Sequence, residues 1–341
     1  LSFGGDPISV GRKWMDLWTN VGTLVGIQGG DLRILMNSSD KTDSDDEDID
    51  TFENVGTDYS DLLGQKVKVL FNDGKNNEVI GVYAIPDNNV TVVNQNEIDV
   101  DAAKIVIGDT RYEVENDGVA VIRDGDELDE KWVAGDFKDE RSADVVTLID
   151  TDDNSKIDAA YIKTVDVQKV SYVSSSQIIA GSKTYRFEDD TIADGVAKDD
   201  WVIITKNLFN ENNDVGIAEM ATGTVGATRE KGTTNNKWKQ FQIEGNWYNE
   251  SDETNRDINT NVKPGVEADF VAVNGIVFYA AKTTTGVDKL EDVLFVAYHG
   301  KDGLTNDQAR VMFPNGDKAT INLKNDYVVN QDGVKSSDIA D

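Results

Sequence analysis

An internal repeat constrains this chain more than any other feature: three kinds of β-patterned segment recur in one order. The first is an entry segment, seen as VGTLVGI (Val21–Ile27), VDVQKVSYV (Val165–Val173) and TGTVGAT (Thr222–Thr228). The second turns at a glycine toward an aromatic: IVIGDTRYEV with Gly108 and Tyr112, IIAGSKTYRF with Gly181 and Tyr185, and FQIEGNWYNE with Gly245 and Tyr248. The third is a hairpin whose first strand starts near Lys66, Asp144, Trp201 or Asp269 and returns through EVIGVYAI, KIDAAYI, DVGIAEM or GIVFYAA. Loops with Val133, Val196 and Val262 precede the last three hairpins. Recurrence of order, and not only of composition, predicts diverged copies of one small unit.

Apolar and polar residues alternate within these segments, in QKVKVLF, DVVTLID, WVIIT, ADFVAVNGIVFYAA and ARVMF, with Gly, Asn or Asp at the ends. Period-two alternation makes strands with one face toward a core. Five or so strands cannot hide two sheet faces while flat, so each copy is expected to close into a small barrel or pack as a sandwich. The expected fold class is all-β, tandem small β-barrel or β-sandwich modules with one short N-terminal helix. That helix is read from VGRKWMDLWTNV, where Val10, Trp14, Leu17 and Val21 recur at three to four residues, with Ser9 as N-cap and Gly22 as stop. The expected modules are residues 1–85, with the helix and an acidic loop, then 86–164, 165–221, 222–284 and a partial fifth at 285–341.

Among 341 residues, 33 are Lys or Arg and 64 are Asp or Glu, a formal charge of −31. Such a surface repels nucleic acid phosphates and anionic lipid heads, so neither is an expected partner. It also repels its own copies, and the physical remedies are salt or divalent cations between carboxylates, with Ca2+ the expected ion. No apolar run approaches the roughly 20 residues that span a bilayer, so membrane insertion is not expected. The absence of cysteine removes disulfides and thiolate chemistry, and the single histidine, His299, cannot build a multi-histidine zinc site. No P-loop, dinucleotide fingerprint, HExxH or nucleophile elbow occurs, and the chain is not expected to be an enzyme.

Two acidic stretches are candidate cation sites. In LIDTDDNSKIDAAYI, Asp150, Asp152 and Asn154 alternate and Asp158 follows. An EF-hand loop needs glycine at its sixth place and glutamate at its twelfth, where Ser155 and Tyr161 stand, so this is no EF-hand. Oxygen ligands on a tight β-turn still suit Ca2+; equally, Asp and Asn suit the dihedrals of the turn itself. In SSDKTDSDDEDIDTFE, Asp45, Asp46 and Asp48 sit in a self-repelling run that reads as a solvated surface loop or a low-affinity divalent site. Trp14, Trp18, Trp238 and Trp247 are candidate sugar platforms, though tryptophan in β-modules is more often core. Sequons stand at Asn37, Asn89 and Asn249.

The phrases DLLGQKVKVLFNDGKNNEVIGVYAI, VVTLIDTDDNSKIDAAYI, YRFEDDTIADGVAKDDWVIITKN and DVLFVAYHGKDGLTNDQARVMFPNGDKATINL resemble the regions downstream of the S-layer homology domains in surface proteins of Gram-positive bacteria. The resemblance runs from about Asp61 to Leu323. It implies a structural, self-assembling protein of the cell surface, extracellular and attached to wall polysaccharide. The anchoring repeats, with their TRAE phrase, are absent from this sequence, so anchoring is expected through a region outside it. Two functions follow as expectations: a homopolymer forming an S-layer lattice or extracellular filament with Ca2+, or a surface module that binds a wall glycan or a host ligand.

Overall fold

In a computed structural model of the chain, residues 16–36, 49–54, 56–72, 77–233, 236–252, 257–283, 295–302, 306–312 and 318–322 are described. Two compact units form, Leu1–Ala281 and Lys282–Asp341.

The first unit holds four sheet systems, each drawn from one consecutive stretch. The opening sheet contains β1 (Leu17–Gln28), β2 (Asp31–Met36), β3 (Ile49–Phe52), β4 (Lys66–Asn72) and β5 (Glu78–Ala84), ordered β3-β2-β1-β4-β5. Next come β6 (Asn89–Asn94), β7 (Ile98–Asp101), β8 (Lys104–Ile107), β9 (Thr110–Val114), β10 (Ala120–Arg123), β11 (Asp126–Glu127), β12 (Val145–Asp150), β13 (Lys156–Ile157) and β14 (Ala159–Lys163). They form two sheets, β11-β10-β14-β12-β6 and β13-β9-β8-β7. The third set is β15 (Asp166–Val173), β16 (Gln177–Ala180), β17 (Lys183–Arg186), β18 (Thr191–Ile192), β19 (Trp201–Asn207) and β20 (Asn212–Ala218), ordered β17-β16-β15-β19-β20-β18. The fourth is β21 (Met220–Thr233), β22 (Asn236–Ile243), β23 (Asn246–Glu250), β24 (Asp257–Ile258), β25 (Glu267–Val273) and β26 (Ile276–Lys282), ordered β23-β22-β21-β25-β26-β24. The second unit contributes β27 (Phe295–Asp302), β28 (Asn306–Met312) and β29 (Lys318–Asn322), a three-stranded antiparallel meander.

Alternation makes these strands. In β4, Val67, Val69 and Phe71 are buried while Lys68 is exposed, and β12 buries Val146, Leu148 and Ile149. The expected helix does not form over its described part, because Leu17–Val21 belong to β1 and pair in register with β4 from Leu17↔Asn72 to Val21↔Lys68. Antiparallel pairing with β4 gives this stretch backbone hydrogen bonds along one edge and adds cross-strand packing that an isolated helix lacks. The helical turns among the described residues are short 3-10 pieces at Ser60–Leu62, Gln95–Glu97 and Ala134–Phe137.

One local device recurs in the first, third and fourth sheets. The entry strand carries a register shift after a fully buried residue, Leu24, Val170 or Val225. That residue exchanges two backbone hydrogen bonds with the turn before the fourth strand. Leu24 N–H donates to Gln65 O (3.0 Å) and Gly64 N–H to Leu24 O (2.8 Å); Val170 pairs likewise with Asp200 and Asp199, and Val225 with Val266 and Gly265. The donors Gly64, Asp199 and Gly265 have φ of +79°, +74° and +82°. A bulge re-aims the strand so that one chain serves two neighbours.

Closure comes from short parallel contacts against the return strand: β18 on β20, β23 and β24 on β26, β10 on β14, and Val79 N–H donating to Glu53 O at 2.7 Å. Of the loop valines noted before the last three hairpins, Val196 and Val262 enter their cores, whereas Val133 is exposed and Ala134 and Phe137 fill that place.

The four sets interlock within the first unit. One core joins Ala143, Val167, Trp201, Ala218, Val271, Val273, Ile276 and Phe278 from the second, third and fourth sets. The first core takes in Ile122, Tyr161 and Leu208 from the next two. Polar side chains fasten the second set to the fourth: Asn96 donates to Ser142 O (2.9 Å) and Asn274 O (2.7 Å), and Asn274 donates to Ala143 O (2.7 Å). Asn249 donates to Glu140 O (2.7 Å), and the Arg141 guanidinium to the carbonyls of Glu250 and Ser251.

Candidate metal centre

The strongest candidate is the turn that leaves β12 and enters β13. Its geometry is organised by Asp150, which is only 4% exposed. Asp150 Oδ1 accepts from the N–H of Asp152 (3.3 Å) and Asn154 (3.2 Å), and Oδ2 accepts from Ser155 N–H (2.9 Å). Backbone donors on one carboxylate wind the chain around it, which places Asp153 at φ +59° and Ser155 at φ +69°. Across the turn, Asp158 Oδ2 accepts from Thr151 N–H (2.6 Å) and Thr151 Oγ1 (2.9 Å).

These contacts bring one carboxylate oxygen from each of Asp150, Asp152 and Asp158 within 4.8 Å of one another. That spacing suits oxygens around an ion held at 2.3–2.6 Å, with carbonyls or water supplying the remainder of a six- to eight-fold shell. Crowding has an electrostatic cost. Burial, together with the charges of Asp152 and Asp150, pushes the Asp158 carboxyl above its ordinary value, against the hydrogen bonds from Thr151.

Asn154, the fourth expected ligand, has both polar atoms engaged elsewhere. Its Oδ1 accepts from Lys156 N–H (2.8 Å) and its amide donates to Glu115 Oε1 (3.0 Å). Asp45, Asp46 and Asp48 lie outside the described residues. Among the described residues, no further group of three acidic or histidine side chains comes together in this way.

No family model matches this chain, and no curated protein matches it.

Sequence reasoning missed the surroundings of the turn. Glu115 follows β9, and the parallel pairing of β13 with β9 sets it beside Asn154 and Lys156, with Lys156 Nζ at 3.4 Å. Asn89 comes from β6 and donates to Asp153 Oδ1 (2.8 Å). A cleft of about 290 Å3 opens next to the turn, lined by Asn89, Thr91, Arg111, Tyr112, Asp150 and Ser155. These residues are brought together by pairing across long sequence separations, which leaves no local signal.

Of the candidate aromatics, Trp18 and Trp247 are exposed and Trp238 is half-buried. Trp14 lies outside the described residues. The sequon asparagine Asn249 is buried and bonded to Glu140 O, so that position is closed to modification in the folded chain. No helix among the described residues is long and apolar enough to cross a membrane.

Proposed function

We propose that this chain is a structural, non-catalytic building block of an extracellular surface, assembling with its own copies into a cell-wall-associated lattice or filament. The observation that carries this reading is the interlocking of four consecutive β-sets into one unit, the first through a core shared with Ile122, Tyr161 and Leu208, and the other three through a second core and the Asn96, Arg141, Asn249 and Asn274 contacts. A body fastened in this way transmits position from one end to the other, as a lattice unit must. Strands β5 and β6 lie at sheet edges and expose Ile80, Tyr83, Val90 and Val92, which supports lateral pairing between copies.

The acidic surface would be neutralised by Ca2+, with the turn at Asp150, Asp152 and Asp158 as the first site to fill. Electron microscopy of the purified protein with Ca2+ and with chelator tests both parts. Ordered arrays that dissolve in chelator are expected; a monomer under every condition overturns the reading, and arrays indifferent to chelator overturn the cation part.

A second reading, a surface module for wall glycan, is favoured by the cleft beside the turn, where Tyr112 offers a ring and Asn89 and Thr91 offer hydrogen bonds. Calorimetric titration with wall oligosaccharides tests it, and a flat trace rejects it.

A further inference from the structure

The fourth set departs from its siblings in length and in charge. Strand β21 runs for 14 residues where β15 has 8, and the excess forms a ribbon with β22 alone, from Arg229↔Gln240 to Thr233↔Asn236. Its pairing with β25 ends at Thr224. Between positions 229 and 239 the chain carries Arg229, Lys231, Lys237 and Lys239 against Glu230 alone, a net of 4 minus 1, or +3, in a molecule of −31. All four cationic side chains are exposed. Glu230 and Lys237 form a solvent-exposed pair at 3.2 Å, Glu230 stands opposite Lys239 across the ribbon, and Lys231, after Lys138, helps hold the Asp99 carboxyl of β7 below its ordinary value.

The ribbon also has a receiving shape. A cleft of about 250 Å3 lies along it, lined by Lys237, Trp238, Lys239 and Asn259 together with the carboxylates of Glu230 and Glu250. The buried indole N–H of Trp238 finds no acceptor among the described residues. Beside it, Arg229 stacks over the exposed Trp247 ring at 4.1 Å, which fixes the base of the ribbon.

We propose that the β21–β22 ribbon, through the excess of Arg229, Lys231, Lys237 and Lys239 over its acidic residues, is the surface by which one copy grips the acidic surface of a second copy. The inference rests on the self-assembly reading above and names its attractive contact. Charge complementarity chooses the occupant: a concentrated positive patch on a polyanion meets its complement on every other copy. Because ribbon and acidic face are different patches, the contact is head-to-tail, and repetition propagates an open polymer or sheet.

Sedimentation velocity with Ca2+ across a salt series tests this, using Lys231→Glu/Lys237→Glu/Lys239→Glu. A control, Lys163→Glu/Lys183→Glu/Lys198→Glu, makes the same change in net charge on other exposed lysines. The ribbon variant is expected to need about tenfold or more protein to assemble, and the control no more than about threefold. A Lys→Gln version of the ribbon variant guards against misfolding, with circular dichroism as the check, and a Lys→Arg version is expected to assemble normally. Equal behaviour of ribbon and control variants overturns the inference and leaves self-assembly standing. A wild-type protein that never associates, or that binds only an anionic polymer such as polyphosphate, overturns the inference together with the reading beneath it.

Discussion

At the scale of single residues, Asp150 is the keystone of its turn, since one nearly buried carboxylate accepts three backbone N–H groups. Asp150→Ala strands those donors and is expected to cost roughly 2–4 kcal/mol, read as a lowered urea midpoint; an unchanged midpoint would reject that role. Asp158 behaves differently, because the fold raises its pKa above 3.8. The folded chain then holds the proton more tightly than the unfolded chain, so this contribution is full below the ordinary carboxylate range and is lost as pH rises through the raised value. Asp158→Asn is therefore expected to raise the melting temperature at pH 7 in chelator and to give no gain at pH 3. A scan without the neutral-pH gain would refute the crowding account. The three aspartates were legible in the sequence, since alternate spacing on a short turn leaves their carboxylates few directions. Glu115 was not, because only the parallel pairing of β13 with β9 brings it near.

Among elements, the repeated bulge-and-turn device makes a comparative experiment available. Gly64, Asp199 and Gly265 perform one task with φ between +74° and +82°. A Cβ on Gly64 would meet Ile149 Cδ1 at 2.7 Å, while one on Gly265 meets open space. Gly64→Ala is expected to cost about 2–4 kcal/mol and Gly265→Ala about 1–2 kcal/mol, measured as denaturant midpoints. Asp199→Gly should stabilise by roughly 0.5–1 kcal/mol, since its exposed pair with Lys169 contributes little. Hairpins were readable because alternation and turn glycines act locally. The helix expected near Leu17 misled for a definite reason: a spacing of four is even, so Leu17 and Val21 share a strand face as well as a helix face. Two-residue strands such as β18 and β24 leave no trace in sequence, because a partner far along the chain defines them.

Over the molecule as a whole, the all-β character was legible but the interlocking was not. Asn96, Arg141, Asn249 and Asn274 read as ordinary turn and surface residues until the carbonyls that receive them are in place. The shared core predicts that the third and fourth sets melt together. Trp201→Ala is expected to remove about 3–5 kcal/mol from both, seen in calorimetry as one displaced transition, whereas two separated transitions would show independent sets. The junctions between sets add one more property. Glu219 alone separates β20 from β21, and Thr164 and Val165 alone separate β14 from β15. In the first and third sets, the entry and return strands flank the fourth strand and run the same way, each antiparallel to it. Tension along the chain would pull those two flanking strands in opposite senses and load whole ladders in shear. With almost no slack at these two joints, the stretch from β14 to β21 would behave less like a tether that pays out than like a strap that holds its gauge.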